Sequence, residues 1–165
     1  MPRIRSKEIL SLDTYIETKE EEFQDKFPVF FSLIKYLLIF HKLPGWKLQL
    51  DSARQRAGLC NYQEKCLSFS HHLLANLEIS FESKANIILH EIAHAIAGPY
   101  TQHGPVWKKI AKKIGCDAKT YHDLVLKAPK YVYTCPCGTL SLRRFRKSTK
   151  VYRCRSCGDI AEEGK

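Results

Sequence analysis

The stretch His90-Glu91-Ile92-Ala93-His94 decides how this chain reads. Two histidines four residues apart lie on one face of a helix, one turn from each other, so both imidazoles can reach one metal ion. The apolar positions around them, Ile87, Ile88, Ile92, Ala95 and Ile96, give the helix one buried side, with His90 and His94 on an adjacent face. Ser83 is the expected N-cap, and Gly98-Pro99 stops the helix. Glu91, beside the first histidine, is the usual general base of a zinc hydrolase.

A catalytic zinc usually keeps three protein ligands and one open position for water. His90 and His94 supply two. His103 is the first candidate for the third, because it follows the Gly98-Pro99 stop and the chain can fold back beside the helix. His71, His72 and His122 are the alternatives; the place expected for His122 is a nearby surface or a position behind the ligands. A purely structural metal would have no need of Glu91 and would more often take four closed ligands. A metzincin would carry glycine where this chain has Ala97, a third histidine where it has Tyr100, and a later Met-turn. Met1 is the only methionine, so that class is excluded.

Working outward, residues 7–22 read as a polar helix with Ile9, Leu10, Leu12, Tyr15 and Ile16 as its buried stripe. Pro28 heads a second helix, Val29 to His41, apolar around most of its circumference and therefore expected in the core. After the turn at Pro44-Gly45, Trp46–Leu50, Ala57–Cys60 and Cys66–Ser70 read as short strands around a loop at Asn61–Lys65, a small antiparallel sheet. Pro105 opens a further helix to about Ile114, closed by Gly115. Beyond Pro129 the texture turns to strands, Tyr131–Tyr133, Leu140–Leu142 and Val151–Arg153. Helices around a small sheet, followed by a β-rich tail, make an α+β protein with one domain over 1–128 and a separate segment over 129–165.

That tail holds four of the seven cysteines, Cys135-x-Cys137 and Cys154-x-x-Cys157. Four thiolates on two turns can close a tetrahedral zinc. Gly138 and Gly158 follow the two pairs, where a left-handed backbone is available to each turn. So short a segment buries little core, and a metal staple is physically sensible. Cys60, Cys66 and Cys116 are expected as buried thiols.

The formal charge of +10 is uneven. From Ala128 onward there are nine Lys/Arg against three Asp/Glu. A basic surface of this kind attracts polyanions, nucleic acid first. Arg143, Arg144, Arg146, Lys147, Lys150, Arg153 and Arg155 can follow phosphates, and Phe145 and Tyr152 among them can stack on unpaired bases. Single-stranded or distorted DNA is the expected partner. On the helix after His103, Lys108, Lys109, Lys112 and Lys113 form a second basic strip, with Lys108 and Lys112 as candidate DNA contacts. The first residues lack the apolar region of a secretory signal, and the longest apolar stretch, Val29 to Phe40, is too short to span a bilayer. A monomer in the cytoplasm, nucleoid or nucleus, away from membranes, is expected.

With these residues assembled, the chain resembles the SprT-like metalloprotease family, which includes bacterial SprT-type and eukaryotic Spartan-type enzymes. The resemblance rests on His90-Glu91-Ile92-Ala93-His94, then His103-Gly104-Pro105-Val106-Trp107 opening a helix. It also rests on Trp46 in a first strand, Ala57-Gly58-Leu59-Cys60 before a Leu-Ser strand, and the cysteine pairs, together about residues 8 to 160. It implies a zincin-like metalloprotease domain with a C-terminal zinc ribbon, and a zinc-dependent protease acting on proteins bound or crosslinked to DNA and stimulated by DNA. His90, His94 and His103 would be ligands of a catalytic zinc, Glu91 the base, and the four cysteines would hold a structural zinc. The rival readings are a DNA-binding zinc protein without proteolytic activity and a zinc peptidase indifferent to DNA.

Overall fold

In the computed structural model of the protein, the backbone is described for residues 12–164 and side chains from Lys19 onward. Ile9 and Leu10 of the first expected stripe, and the side chains of Leu12, Tyr15 and Ile16, lie outside the described residues. The chain forms two compact units, Met1–Leu126 and Lys127–Lys165. Among the described residues no helix is long and apolar enough to cross a membrane.

The first unit opens with α1 (Leu12–Lys26) and α2 (Pro28–Phe40), joined at Phe27. Phe23 is fully buried and meets Phe31 and Phe69 edge-on, at ring centroids 5.7 and 6.3 Å away, tying both helices to the sheet. The expectation that α2 is buried most of the way round needs correction. Only Ile34 and Leu38 are buried, while Val29, Tyr36, Ile39 and Phe40 are all more than 60% exposed. One stripe of this helix meets the unit's core and the rest faces outward, so sequence apolarity overstates its burial.

Strands β1 (Lys47–Asp51), β2 (Gly58–Asn61) and β3 (Cys66–Ser70) follow. The sheet is mixed rather than antiparallel, with order β1-β3-β2. β2 and β3 form the antiparallel hairpin read from the sequence, but β1 runs parallel to β3, with Leu48 beside Leu67 and Leu50 beside Phe69. The reason lies in residues 52–57, which carry the chain across the end of β3, so that β2 provides the return path a parallel pair requires. Side chains hold this crossing: Ser70 donates to the Ala53 carbonyl, and Ser68 donates to the Asp51 carboxylate at 2.7 Å, which also takes Arg56 at 2.7 Å. The outer edge of β1 is closed by α1, whose Glu20 accepts from the Leu48 N–H at 2.7 Å while pairing with Lys35. β3, in the centre, is buried at all five positions.

A short α3 (His71–Ala75) leads to α4 (Phe81–Ala97). The N-cap of α4 is Ser80, one turn earlier than Ser83; its hydroxyl oxygen accepts from the Ser83 N–H at 3.1 Å. Helical burial then starts with Lys84, whose ammonium donates to the Leu74 carbonyl at 3.0 Å, an acceptor no local pattern discloses. Ile88 and Ile92 are fully buried, and Gly98 ends the helix at φ +86°, a conformation open to glycine. α5 (Pro105–Lys113) begins at Pro105, as a helix with proline at its first position should. Its Trp107 and Ala111 are buried against Ala93 of α4 in a second, smaller apolar cluster.

The second unit is a three-stranded antiparallel sheet, β4 (Tyr131–Thr134), β5 (Ser141–Arg144) and β6 (Glu162–Gly164), in order β5-β4-β6. Val151–Arg153, expected as a strand, contributes one bridge, Arg153 to Ile160, because the cysteine turn folds the chain back immediately. Its buried side chains are few: Tyr133, Cys135, Cys154 and Ala161.

Candidate metal centres

α4 and the loop that leads into α5 bring His90, His94 and His103 to one point. The Nε2 atoms of His90 and His94 are 3.3 Å apart, and each lies 3.0 Å from that of His103. Tetrahedral coordination with metal–nitrogen bonds of about 2.0 Å places ligand atoms about 3.3 Å apart, so the three nitrogens fit one zinc-sized ion. Three converging imidazoles with at most one N–H each cannot satisfy one another pairwise, which gives the cluster a chemistry suited to a cation. Burial, then the neighbouring imidazoles, pushes His90 and His94 down to about 4; burial also lowers His103. All three are thus neutral near pH 7, the form that ligates. Trp107 is the common floor: fully buried, its ring centroid lies 4.7, 5.1 and 4.7 Å from those of His90, His94 and His103.

Glu91 is 8% exposed and faces β2. Burial pushes its carboxyl up to about 7, against the Arg56 guanidinium and the Cys60 backbone N–H, which pull it down. Gly58 makes this placement possible. A Cβ there would come within 2.6 Å of Glu91 Cγ and 2.7 Å of Oε1. This part of Gly58 is not apparent from the Ala57–Cys60 segment alone, although a glycine inside a strand is the signal for such close approach. The centre opens into a cavity of about 1490 Å³ walled by β2, α4 and the segment after α5.

Of the alternative ligands, His71 is turned to the Asp51 carbonyl at 3.1 Å and to His72, and neither joins the cluster. His122 lines the cavity outside the triad. Cys66 and Cys116 are buried and Cys60 is half-buried on the cavity wall. Burial raises Cys60 to about 12 and Cys66 to about 11, leaving both as unreactive thiols at neutral pH.

In the second unit the sulfur atoms of Cys135, Cys137, Cys154 and Cys157 all lie within 4.8 Å of one another, and the cluster could hold a metal ion. Cys135 stands 3.2 Å from Cys137 and 3.3 Å from Cys157, well beyond a disulfide bond. The glycines after each pair adopt φ +76° and +80°. Thr139, unremarked in the sequence, places its hydroxyl 2.9 Å from Cys137 Sγ and 3.2 Å from Cys154 Sγ. That hydroxyl, followed by the N–H groups of Cys157 and Ser156, brings Cys154 down to about 6 and favours its thiolate.

The basic side chains of this unit are spread over an exposed surface, though several are engaged. Arg143, Arg146, Lys150 and Arg155 are exposed. Lys147 stands 3.6 Å from Glu163, and Arg153 donates to the Gly158 carbonyl at 3.3 Å. Tyr152 packs between Tyr133, 5.4 Å away, and the Arg144 guanidinium, 5.3 Å above its ring, and its hydroxyl donates to Ser148. Phe145 is half-buried. In the first unit Lys108, Lys109, Lys112 and Lys113 are exposed on α5, and Lys112 reaches the cavity wall.

An α+β domain with a three-imidazole centre beside a buried carboxylate, followed by a four-cysteine cluster, defines a class of proteins with two clusters that could each hold a metal ion. Within that class the chain belongs to the SprT-like family, whose model matches residues 15–125. Comparison with curated proteins and with solved structures finds no match.

Proposed function

We propose that this protein is a zinc metalloendopeptidase of zincin-like architecture, directed to proteins bound or crosslinked to DNA. The observation that carries the reading is the meeting of three Nε2 atoms at 3.0–3.3 Å beside Glu91 on one open cavity. His90, His94 and His103 would hold the zinc. When bound, it supplies a Lewis acid that polarises a carbonyl and acidifies water. Glu91 takes the proton of the attacking water on a carboxylate oxygen and returns it to the leaving amine. A carboxyl brought up to about 7 by burial suits both directions of transfer near neutral pH. Gly58 leaves Glu91 its room, and Trp107 keeps the imidazoles in register.

The four cysteines would hold a second, structural zinc. The basic side chains Arg143, Arg144, Arg146, Lys147, Lys150, Arg153 and Arg155, with Phe145 and Tyr152, and Lys108 and Lys112 on α5, would recruit DNA. DNA would thereby raise the local concentration of protein substrate. Such an enzyme works as a monomer where DNA is, in the cytoplasm, nucleoid or nucleus. The internal engagement of Tyr152 favours phosphate tracking over base stacking, while Lys147 is partly taken up by Glu163. It is also the observation that speaks for the second reading, a peptidase indifferent to DNA.

The test mixes wild type and Glu91→Gln with a DNA-binding protein, with and without single-stranded DNA. Cleavage by wild type alone, enhanced by DNA, is the expected result. Equal cleavage by both variants sinks Glu91 as the base, and cleavage unaffected by DNA selects the second reading.

A further inference from the structure

We propose that Asn86 and Asp117 are positioning residues for His90: together they hold the loop after α5 so that the Lys119 carbonyl accepts from His90 Nδ1 and Nε2 is left to the metal. The inference rests on the reading of His90 as a zinc ligand given above. His90 Nε2 faces the cluster, 3.0 Å from His103 Nε2 and 3.3 Å from that of His94. A ligating imidazole carries its proton on the other nitrogen, and a partner for that N–H fixes both the tautomer and the ring orientation. The backbone of Lys119 is the hydrogen-bond partner of the His90 ring, and it favours a proton there, as an accepting carbonyl does.

A backbone acceptor is placed only as well as its loop is held. Asn86 stands one turn before His90 on the same face of α4, and its Oδ1 accepts from the Asp117 N–H at 2.9 Å. The Asp117 carboxylate in turn accepts from the Lys119 N–H at 3.0 Å. Between them Ala118 takes φ +58°, a left-handed backbone that a residue with a Cβ keeps only where its surroundings impose it. Cys116 and Ala118 are buried in the same apolar cluster as Trp107. Asp117 and Lys119 themselves are exposed on the cavity wall that His90 shares. Elsewhere these bonds would only stitch a loop to a helix. Here the contacts run from Asn86 to Asp117, to Lys119 and to His90, and close through the single helical turn that carries the ligand.

The experiment uses the full chain loaded with cobalt(II). Only cobalt on the cysteines gives thiolate charge-transfer bands, and His90→Ala marks the d–d bands that belong to the imidazole centre. Zinc affinity at that centre is read by displacing the cobalt. Asn86→Ala and Asp117→Ala should each weaken it by about 10- to 100-fold, the usual effect of removing such support, with the thiolate bands unchanged. Asp117→Asn keeps the oxygen that accepts from Lys119 and removes only the charge, so it should keep wild-type affinity. In NMR spectra of the zinc-loaded protein, the His90 Nδ1–H signal, assigned by its loss in His90→Ala, should be present in wild type and exchange away in Asn86→Ala. Wild-type affinity in both alanine variants overturns the inference. So does a loss in Asp117→Asn equal to that in Asp117→Ala, or a His90 N–H signal that Asn86→Ala leaves intact. Should Asn86→Ala not fold, the two Asp117 variants decide by the same comparison. If His90→Ala leaves every cobalt band in place, the zinc reading of the imidazoles fails first and takes this inference with it. If metal binds there and no peptide is cut, the peptidase reading alone fails, and the affinities still decide the part of Asn86 and Asp117.

Discussion

The two candidate metal centres are built on opposite plans. In the first unit the donors come from α4 and the loop just before α5, and those helices are held by a core that includes Phe23, Ile88, Ile92 and Trp107. In the second, the donors sit on turns, and two of the four buried side chains are themselves cysteines. A metal bound at each would therefore be a guest in the first unit and the main cohesive element in the second. The sharpest way to break this contrast is to remove metal. Cys135→Ser should unfold the second unit, with a loss on the order of 10 kcal/mol if its zinc behaves like that of other small ribbons. Both tryptophans, Trp46 and Trp107, lie in the first unit, so their fluorescence reports it alone. The expected outcome is collapse of the β4–β6 amide signals in an NMR spectrum with unaltered tryptophan emission. Emission that changes in step with those signals would show that the centres are not independent in the way their packing implies.

The next effect is chemical and confined to the first unit. Glu91→Gln keeps the shape of the side chain, so metal content and folding should stay as they are while peptide cleavage falls by roughly 10²–10⁴. A smaller effect isolates the role of β2. Gly58→Ala would set a methyl 2.6 Å from Glu91 Cγ, so the carboxylate must shift. We expect a loss of about 10- to 100-fold in kcat with full zinc occupancy, since misplacement of about 1 Å costs on that scale. Reduced zinc with normal turnover per zinc would show instead that Gly58 serves the ligands.

How much of this was legible follows from how local each signal is. The His90, Glu91 and His94 arrangement is set by helical spacing, and the stop at Gly98 by a backbone that glycine tolerates; both can be read from a few residues. Convergence of His103 needed only that the chain turn back. Other features depend on partners far along the chain. The parallel pairing of β1 with β3 follows from the route of residues 52–57. The exposure of Tyr36, Ile39 and Phe40 depends on what fails to cover α2, and the place of Thr139 over two sulfurs on how two turns meet. The N-cap at Ser80 rather than Ser83 is a subtler miss, because both serines belong to one hydrogen-bonded pair, 3.0 Å apart.

Acidification gives the smallest and most discriminating comparison, in metal-free protein followed by tryptophan emission in urea. His90 and His94 are held down to about 4, below their ordinary 6.5. Between those values the unfolded chain binds more protons than the folded one, so stability present above pH 6.5 drains away as pH falls. Glu91 runs the other way. Raised from 4.5 to about 7, it keeps its proton in the folded state, and its contribution is present at low pH and lost as pH rises through 7. Two histidines outweigh one carboxyl, so the urea midpoint of the first unit should fall from pH 6.5 toward 4.5. Glu91→Gln removes the opposing group and should make that fall steeper. Zinc, which requires the neutral imidazoles, should hold the midpoint nearly flat until protons displace it. The cysteine unit carries no tryptophan and leaves this signal untouched, so a slope that Cys135→Ser alters, or that Glu91→Gln leaves unchanged, would contradict the assignment of these shifts to burial around the three imidazoles.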